Sequence, residues 1–339
     1  MRLSIISLVS ETPKDVDSFL RALTLQEKQD FEVILCINKK SKSKQIFDVI
    51  QKYQNFFKNR IIVLFNSKTK SYQFNLLKAF GVLSGDYACV INSDGPLKRH
   101  YIDRLIEQIE LHNADVIELK PRIIGSVLWK PQARFKTDEI VHITSNKYAL
   151  TYSFPFIFNK IFKRTLVQKI LNYQSISKSD SKLCVEINYI LMLSASTYIY
   201  IDQRILKEYY GANILLSTKN EIKSFKQIRS FAQEKQLNLE LELIYAQFYY
   251  LKIIMYGLLN ATTFAYRNFK SKEQIQQTRS SLIVQKHEQE LTKLENSTEF
   301  KEFEKENTYM LKSSIETQML KTSIRKLKQI KTKILSELE

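Results

Sequence analysis

Two hydrophobic patterns alternate along the first 120 or so residues. Leu3 to Val9, Phe31 to Ile37, Ile61 to Phe65, Asp86 to Ile91 and Val116 to Leu119 are short apolar runs with few polar breaks. They are too short for helices, and too continuously apolar for strands with one face in water. Between them, apolar residues recur every three or four positions. Pro13 to Leu25 places Val16, Phe19, Leu20 and Leu23 on one helical face, and Ser43 to Phe56 does so with Ile46, Phe47, Val49 and Ile50. Tyr72 to Leu83 and Leu97 to His112 continue the alternation. Buried strands separated by amphipathic helices predict an α/β fold with a mainly parallel sheet covered on both faces.

The pattern changes after Ser217, where strand-like runs cease and Lys, Glu, Gln and Leu dominate. Two regions are therefore expected, an α/β domain over 1–217 and a helical, basic region over 218–339. Leu237 to Phe269 is apolar enough to raise the question of a membrane span, but Glu242, Gln247 and Lys252 interrupt it. A lysine at mid-bilayer costs about 2.5–3.5 kcal/mol. A buried helix closing the first domain is expected instead, with a bend at Gly257 and Asn260. Over 308–335, Leu311, Ile315, Leu320, Ile324, Leu327 and Ile334 form an apolar stripe beside seven cations and one acid, Glu316. Such a basic amphipathic helix suits an anionic membrane surface. The same pattern also suits packing against the charged segment Ser280 to Lys305.

Charge and composition narrow the chemistry. A formal charge of +17 over 339 residues implies an anionic partner. Nucleic acid ranks last, because the basic C-terminal helix lacks interleaved aromatics and any recognised motif. Cys36, Cys89 and Cys184 have no paired spacing and read as reduced core thiols of a cytoplasmic protein. The N-terminus shows no basic segment followed by an extended apolar run, so no secretory signal is expected.

The segment Gly85-Asp86-Tyr87 through Asn92-Ser93-Asp94-Gly95 carries the strongest chemical signal. An apolar strand ends there in a polar turn with one carboxylate. Ligands of open α/β sheets bind at such carboxyl ends, and a carboxylate there can hold a hard cation against substrate phosphates. Lys39, Lys40, Lys42 and Lys44 form a basic loop after the second strand, and His100 follows the turn closely. A solvated loop and a surface or capping histidine are the expected roles of these residues.

The order of these segments resembles family-2 glycosyltransferases of the GT-A fold, over approximately residues 3 to 217. Leu3 to Val9 and Asp30 to Leu35 look like the first two strands of that family. Leu83 to Gly95 is similar to the segment ending in its acidic metal motif. Phe158-Asn159-Lys160-Ile161-Phe162-Lys163-Arg164 resembles a recurrent segment near the acceptor side. Tyr198 to Asp202, with Tyr209, Tyr210 and Ser217, resembles the segment closing the catalytic domain.

The resemblance implies transfer of a sugar from a nucleotide-sugar donor to a hydroxyl acceptor, commonly with inversion. Lipid or glycan acceptors are implied, as is association with the membrane surface through 308–335. It places Asn38, Asn92, Ser93 and Asp94 at the donor, Asp94 as ligand of Mg²⁺ or Mn²⁺, and Tyr209 and Tyr210 on the acceptor side. The sequence departs from the family pattern at Asn38 and Asn92, where aspartates are usual, and at Leu183-Cys184, where an acidic pair is usual. The nearest candidate bases are Glu186 and Asp180. If Glu186 is buried in its apolar helix, its carboxyl pKa rises, which suits a base. The same departures support a second reading, a catalytically degenerate binding or scaffold protein.

Overall fold

The computed structural model describes residues 1–40, 42–137, 139–175, 180–211, 216–265 and 270–339, with the side chains of 262–265 and 270–280 excepted. Ten strands are described: β1 (Leu3–Ser7), β2 (Phe31–Asn38), β3 (Ile61–Asn66), β4 (Tyr87–Val90), β5 (Val116–Leu119), β6 (Ile123–Gly125), β7 (Val141–His142), β8 (Lys160–Lys163), β9 (Thr197–Ile201) and β10 (Glu208–Tyr210). Eight form one sheet in the order β3-β2-β1-β4-β8-β5-β9-β7, and β10 pairs with β6 separately. β3, β2, β1 and β4 are mutually parallel, so their carboxyl ends share one edge.

The period-2 geometry of a strand explains why these runs are apolar throughout. Leu3, Ile5, Val33, Leu35, Ile37 and Cys89 face a core built with the helices Pro13–Thr24, Ser43–Phe57 and Tyr101–Leu111. Ile6, Ile34, Cys36, Ala88 and Val90 face the opposite core, against the helix Tyr72–Phe80. Polar exceptions on that second face are matched to each other. Glu32 Oε1 accepts from Ser4 Oγ at 2.6 Å, and its Oε2 accepts from Ser84 Oγ at 2.6 Å. Burial alone would raise the Glu32 pKa, but these hydrogen bonds outweigh it and lower the value. Gly85 is obligatory here, since a Cβ would lie 2.6 Å from Ser4 Oγ and 2.8 Å from the Leu3 carbonyl carbon.

Two strands depart from the expected parallel order, β7 at the edge of the sheet and β8 within it. β8 runs antiparallel between β4 and β5, and it contains the Lys160-Ile161-Phe162-Lys163 stretch read above as lying near the acceptor. Lys160 is wholly buried. Its Nζ donates to the carbonyls of Phe154 (2.5 Å) and Phe156 (3.0 Å) and stands 3.6 Å from Glu118. Lys163 and Arg164 reach Asn113 and the Ser84 carbonyl, with Asp86 beside Arg164. Asp86 starts the β4 segment and Asn92 ends it, so Lys163 and Arg164 brace the sheet at the end away from the Asp94 turn, while the Lys160 end of β8 lies towards it.

The second half packs onto the sheet. The same hydrophobic cluster runs from Ile6 and Val90 to Phe248, Leu320 and Leu335. Tyr249–Met255 forms a π-helical stretch between Glu240–Phe248 and Tyr256–Ala265. Buried Lys252 within it pairs with Glu295 at 2.7 Å and donates to the Leu320 carbonyl at 2.7 Å. No helix among the described residues is long and apolar enough to cross a membrane. Gly257 lies within helix and marks a crossing, where a Cβ would meet Leu335 at 2.6 Å; residues 266–269 of the apolar segment lie outside the described residues.

The single amphipathic helix expected over 308–335 is not observed. Short pieces replace it, Thr308–Leu311, Ile315–Lys321 and Ile324–Ile330. Leu320, Ile324, Leu327 and Ile334 are buried in the protein's own core, so most of the stripe faces inward. Lys328 pairs with Glu288 at 2.8 Å, and the Ile324 amide donates to Glu295. The stripe thus packs against the helix Lys270–Glu295, and cations such as Lys321, Arg325 and Lys333 remain outside.

Candidate active site

Asn92, Ser93 and Asp94 form the turn at the carboxyl end of β4. Asn92 Oδ1 accepts the amides of Leu8 (2.9 Å) and Val9 (3.2 Å), tying the end of β1 to the turn. Asn92 Nδ2 donates to both carboxylate oxygens of Glu208, each at 3.2 Å. An aspartate at 92 would set two carboxylates face to face. The amide is therefore the complement of Glu208, which explains the departure from the usual acid. Ser93 is also committed inside, its amide to Ser7 Oγ (3.0 Å) and its hydroxyl to the Val9 carbonyl (2.5 Å).

Asp94 carries the chemistry of the turn. Its Oδ2 accepts from Lys182 Nζ at 2.8 Å, and the same ammonium lies 2.5 Å from Glu208 Oε1. Lys182 and Glu208 side chains are each 3% exposed and Asp94 20%. Burial raises the pKa values of Asp94 and Glu208, with Lys182 opposing the rise. Burial would lower that of Lys182, but the two carboxylates outweigh it and raise it. Two acids thus share one buried cation, leaving a negative imbalance at the strand ends. Asp94 Oδ1 is buried with no hydrogen-bond partner. That atom fits a divalent cation that takes its other ligands from diphosphate and water. Asn92, with both side-chain ends occupied, does not fit as a second ligand.

The other expected site residues divide between cleft and interior. Asn38 Oδ1 accepts from Asn66 Nδ2 (3.1 Å) and the Lys70 amide (3.2 Å), so it shapes the loop at the ends of β2 and β3. Lys40 pairs with Glu11 at 2.6 Å. Tyr209 is exposed, with Lys182 Nζ 5.9 Å from its ring centre, whereas Tyr210 is 1% exposed and belongs to the core. His100 turns to Asp103 (3.1 Å) and Glu27 (3.5 Å). Those three form a surface grouping of possible ligand atoms that does not include Asp94.

Glu186 is fully buried and accepts from Tyr173 (2.8 Å) and Ser224 (3.1 Å). That enclosed position does not suit a base meeting a solvent-borne acceptor. Asp180 is half-buried and accepts the amides of Tyr72 (2.9 Å) and Gln73 (2.7 Å) at the start of the helix Tyr72–Phe80. Burial pushes its carboxyl up to about 6. Burial, Glu11, Asp180 and Asp94 raise the Tyr72 hydroxyl to about 12, with Lys182 opposing.

Glu221 is buried, and desolvation, with Asp180 and Glu186 nearby, pushes its carboxyl up to about 8. Its unfolded value is near the ordinary 4.5, so the folded state holds this proton more tightly. The associated stability is full below pH 4.5 and is lost as pH rises through about 8. Glu221→Gln is expected to match the parent protein near pH 4.5 and to exceed it above pH 8, by a few kcal/mol at order of magnitude. Thermal denaturation across that range checks this; equal Tm differences at every pH would refute it.

Lys182, Glu208 and Tyr72 were not legible as site residues in the sequence. The available signal was position alone, Lys182 just before Leu183-Cys184 and Glu208 just before Tyr209-Tyr210.

Comparison with known proteins bears on the family and the fold. Residues 4–171 match the model of glycosyl transferase family 2. No curated protein matches the chain. Among solved structures, that of S. aureus TarS 1-349 is similar, with a TM-score of 0.57 and 15% identity over 86% of this chain and 92% of that one. The same fragment in complex with UDP-GlcNAc gives a TM-score of 0.55 and 16% identity over 85% and 83%. These likenesses establish a shared fold.

Proposed function

Because the chain belongs, through residues 4–171, to glycosyl transferase family 2, we propose that it moves a sugar from a nucleoside-diphosphate donor to a hydroxyl acceptor at the carboxyl ends of β1, β2 and β4. The observation that carries this reading is Asp94, held at the end of β4 by Lys182, with Oδ1 buried and unpartnered. The UDP-GlcNAc complex of the similar fold makes a UDP-linked sugar the first donor to test.

In this reading Asp94 would hold Mg²⁺ or Mn²⁺. When bound, the ion neutralises charge that builds on the leaving diphosphate. Asn92 locks the turn to β1, so Asp94 is presented without rearrangement. Lys182 holds Asp94 Oδ2 and leaves Oδ1 without a hydrogen-bond partner. Asp180, near neutral pH in its titration, takes the acceptor proton in a single inverting displacement. It replaces Glu186 in that role, because Glu186 is enclosed. The cations outside the 308–335 stripe support electrostatic association with an anionic surface, without the apolar insertion first expected. Buried, unpaired Cys36, Cys89 and Cys184 suit the cytoplasm.

The test is release of nucleoside diphosphate from a panel of UDP-, GDP- and CDP-sugars with Mn²⁺. Turnover is expected to rise with pH and level off above about 6. Asp180→Asn should lower kcat by about 10²-fold or more and remove that limb. A limb that persists in the variant would exclude Asp180 as the base. Silence of the folded protein across the panel would favour a degenerate binding module, the reading that Asn92 and Leu183-Cys184 support.

A further inference from the structure

Beside the Asp94 turn, on the side away from β2, lies a group of cations that the donor reading does not use. Parallel pairing sets Glu208 against Ile123, and the Glu208 amide donates to the Arg122 carbonyl at 2.9 Å. Lys207 and Arg122 therefore enter their strands side by side. The Lys207 carbonyl lies 3.8 Å from where a Cβ on Gly95 would sit, so this pair abuts the turn directly. Lys98, three residues past Gly95, lies close enough to Lys207 for its charge to disfavour the Lys207 ammonium. Arg104 and Arg122 both lie near Tyr101.

Two features separate this group from an ordinary basic surface. None of Lys98, Arg104, Arg122 and Lys207 belongs to an ion pair among the described residues, although nearby Lys120 pairs with Asp202 at 2.7 Å. Two donors there are also left unmet. Arg122 Nε is buried without a partner, and so is the hydroxyl of Tyr101, a residue 7% exposed. Buried donors without acceptors are costly, and crowded like charges add to that cost. The ammonium of Lys207 is correspondingly lowered, first by burial and then by Arg122 and Lys98. An anion with several acceptor oxygens would relieve all of these together. Phosphate is the group whose geometry matches an arginine fork with added lysines.

Location decides which phosphate. The donor reading places the nucleotide over β1 and β2, at Asn38 and Asp94, whereas the cations lie across the turn beside β6 and β10. We infer that Arg122, Lys207, Lys98 and Tyr101 form a phosphate subsite for the acceptor, so that the hydroxyl to be glycosylated belongs to a phosphate-bearing molecule. The assignment of the subsite to the acceptor rests on the transferase reading; the phosphate site itself does not.

The test uses the full chain and calorimetric titration with inorganic phosphate, sn-glycerol 3-phosphate and UDP, together with sedimentation on phosphatidylglycerol vesicles. Binding of the two phosphate probes is expected to weaken at least tenfold in Arg122→Gln/Lys207→Gln, with UDP affinity within twofold of the parent. The exposed Lys98→Gln, which leaves the interior untouched, should weaken the same probes by about threefold. Unchanged phosphate binding in both variants would overturn the subsite. An equal loss of UDP binding would overturn its assignment to the acceptor, and so would binding confined to vesicles. Phosphate binding of the expected pattern in a protein that turns over no nucleotide sugar would sink the transferase reading and leave the anion site standing.

Discussion

Asp94→Ala is expected to reduce nucleotide-sugar turnover by about 10²-fold or more while leaving the protein folded. The carboxylate removed is the one at the strand ends with an unpartnered oxygen, so diphosphate departure loses its anchored counter-charge. The fold should survive for a stated reason. Lys182 keeps Glu208 at 2.5 Å, and Asn92 keeps both its bonds to Glu208 and its bonds to β1. Asp94→Asn refines the result. It retains the shape and loses the charge, so an equal loss in both variants assigns the effect to charge. Mn²⁺ titration adds a readout independent of turnover: binding that strengthens with UDP in the parent should vanish in Asp94→Ala. Undiminished release of nucleoside diphosphate by a folded Asp94→Ala protein would remove Asp94 from the mechanism.

The largest stability effect is expected at Glu118. This wholly buried carboxylate accepts from Ser153 Oγ (2.6 Å), the Phe154 amide (2.8 Å), Asn159 Nδ2 (3.1 Å) and Tyr198 OH (3.0 Å). It also faces Lys160 at 3.6 Å. Burial lowers the Lys160 ammonium to about 8, against the pull of Glu118. Removing Glu118 leaves four donors and a buried cation without their common partner. Breaking such a pair costs about 3–5 kcal/mol, a large part of the roughly 5–15 kcal/mol that holds a domain folded. Glu118→Ala should therefore shift the urea midpoint sharply downward, and adding Lys160→Met should recover part of the loss. A shift worth less than about 1 kcal/mol would show that the network is dispensable. The functional consequence lies one strand away. β8 carries Lys160 and pairs with β4, so loosening this network loosens the strand that presents Asp94.

These two residues mark the limits of the sequence reading. Asp94 was legible because its signal is local: an apolar run buried on both faces ends in a polar turn, and the two lie next to each other in the chain. Glu118 and Lys160 were not. The sequence places Lys160 in a polar-looking Asn-Lys pair, and nothing nearby shows that its charge is met by an acid 42 positions earlier. The same holds at the site itself. Lys182 meets Asp94 across 88 residues, Glu208 joins them through Lys182 from 114 residues beyond Asp94, and neither has a local pattern that sets it apart from a surface charge.

Asn92 shows a related limit. Against a family pattern it reads as a lost acid, and only its contact with Glu208 shows it to be an amide matched to a carboxylate. The apolar stripe of 308–335 required burial of one face, and both a membrane and the protein's own core satisfy that requirement. Ile324 beside Glu295 and Leu335 against Gly257 decided for the core.

By itself, then, the sequence determined the parallel strands, the helices between them and the turn that ends β4, because periodic burial and turn chemistry act between neighbours in the chain. The tertiary structure alone decided the insertion of β8, the triad of Asp94, Lys182 and Glu208, and the inward face of the C-terminal segment. Charge pairing in a low-dielectric interior depends on distance in space, and a linear pattern does not encode that distance.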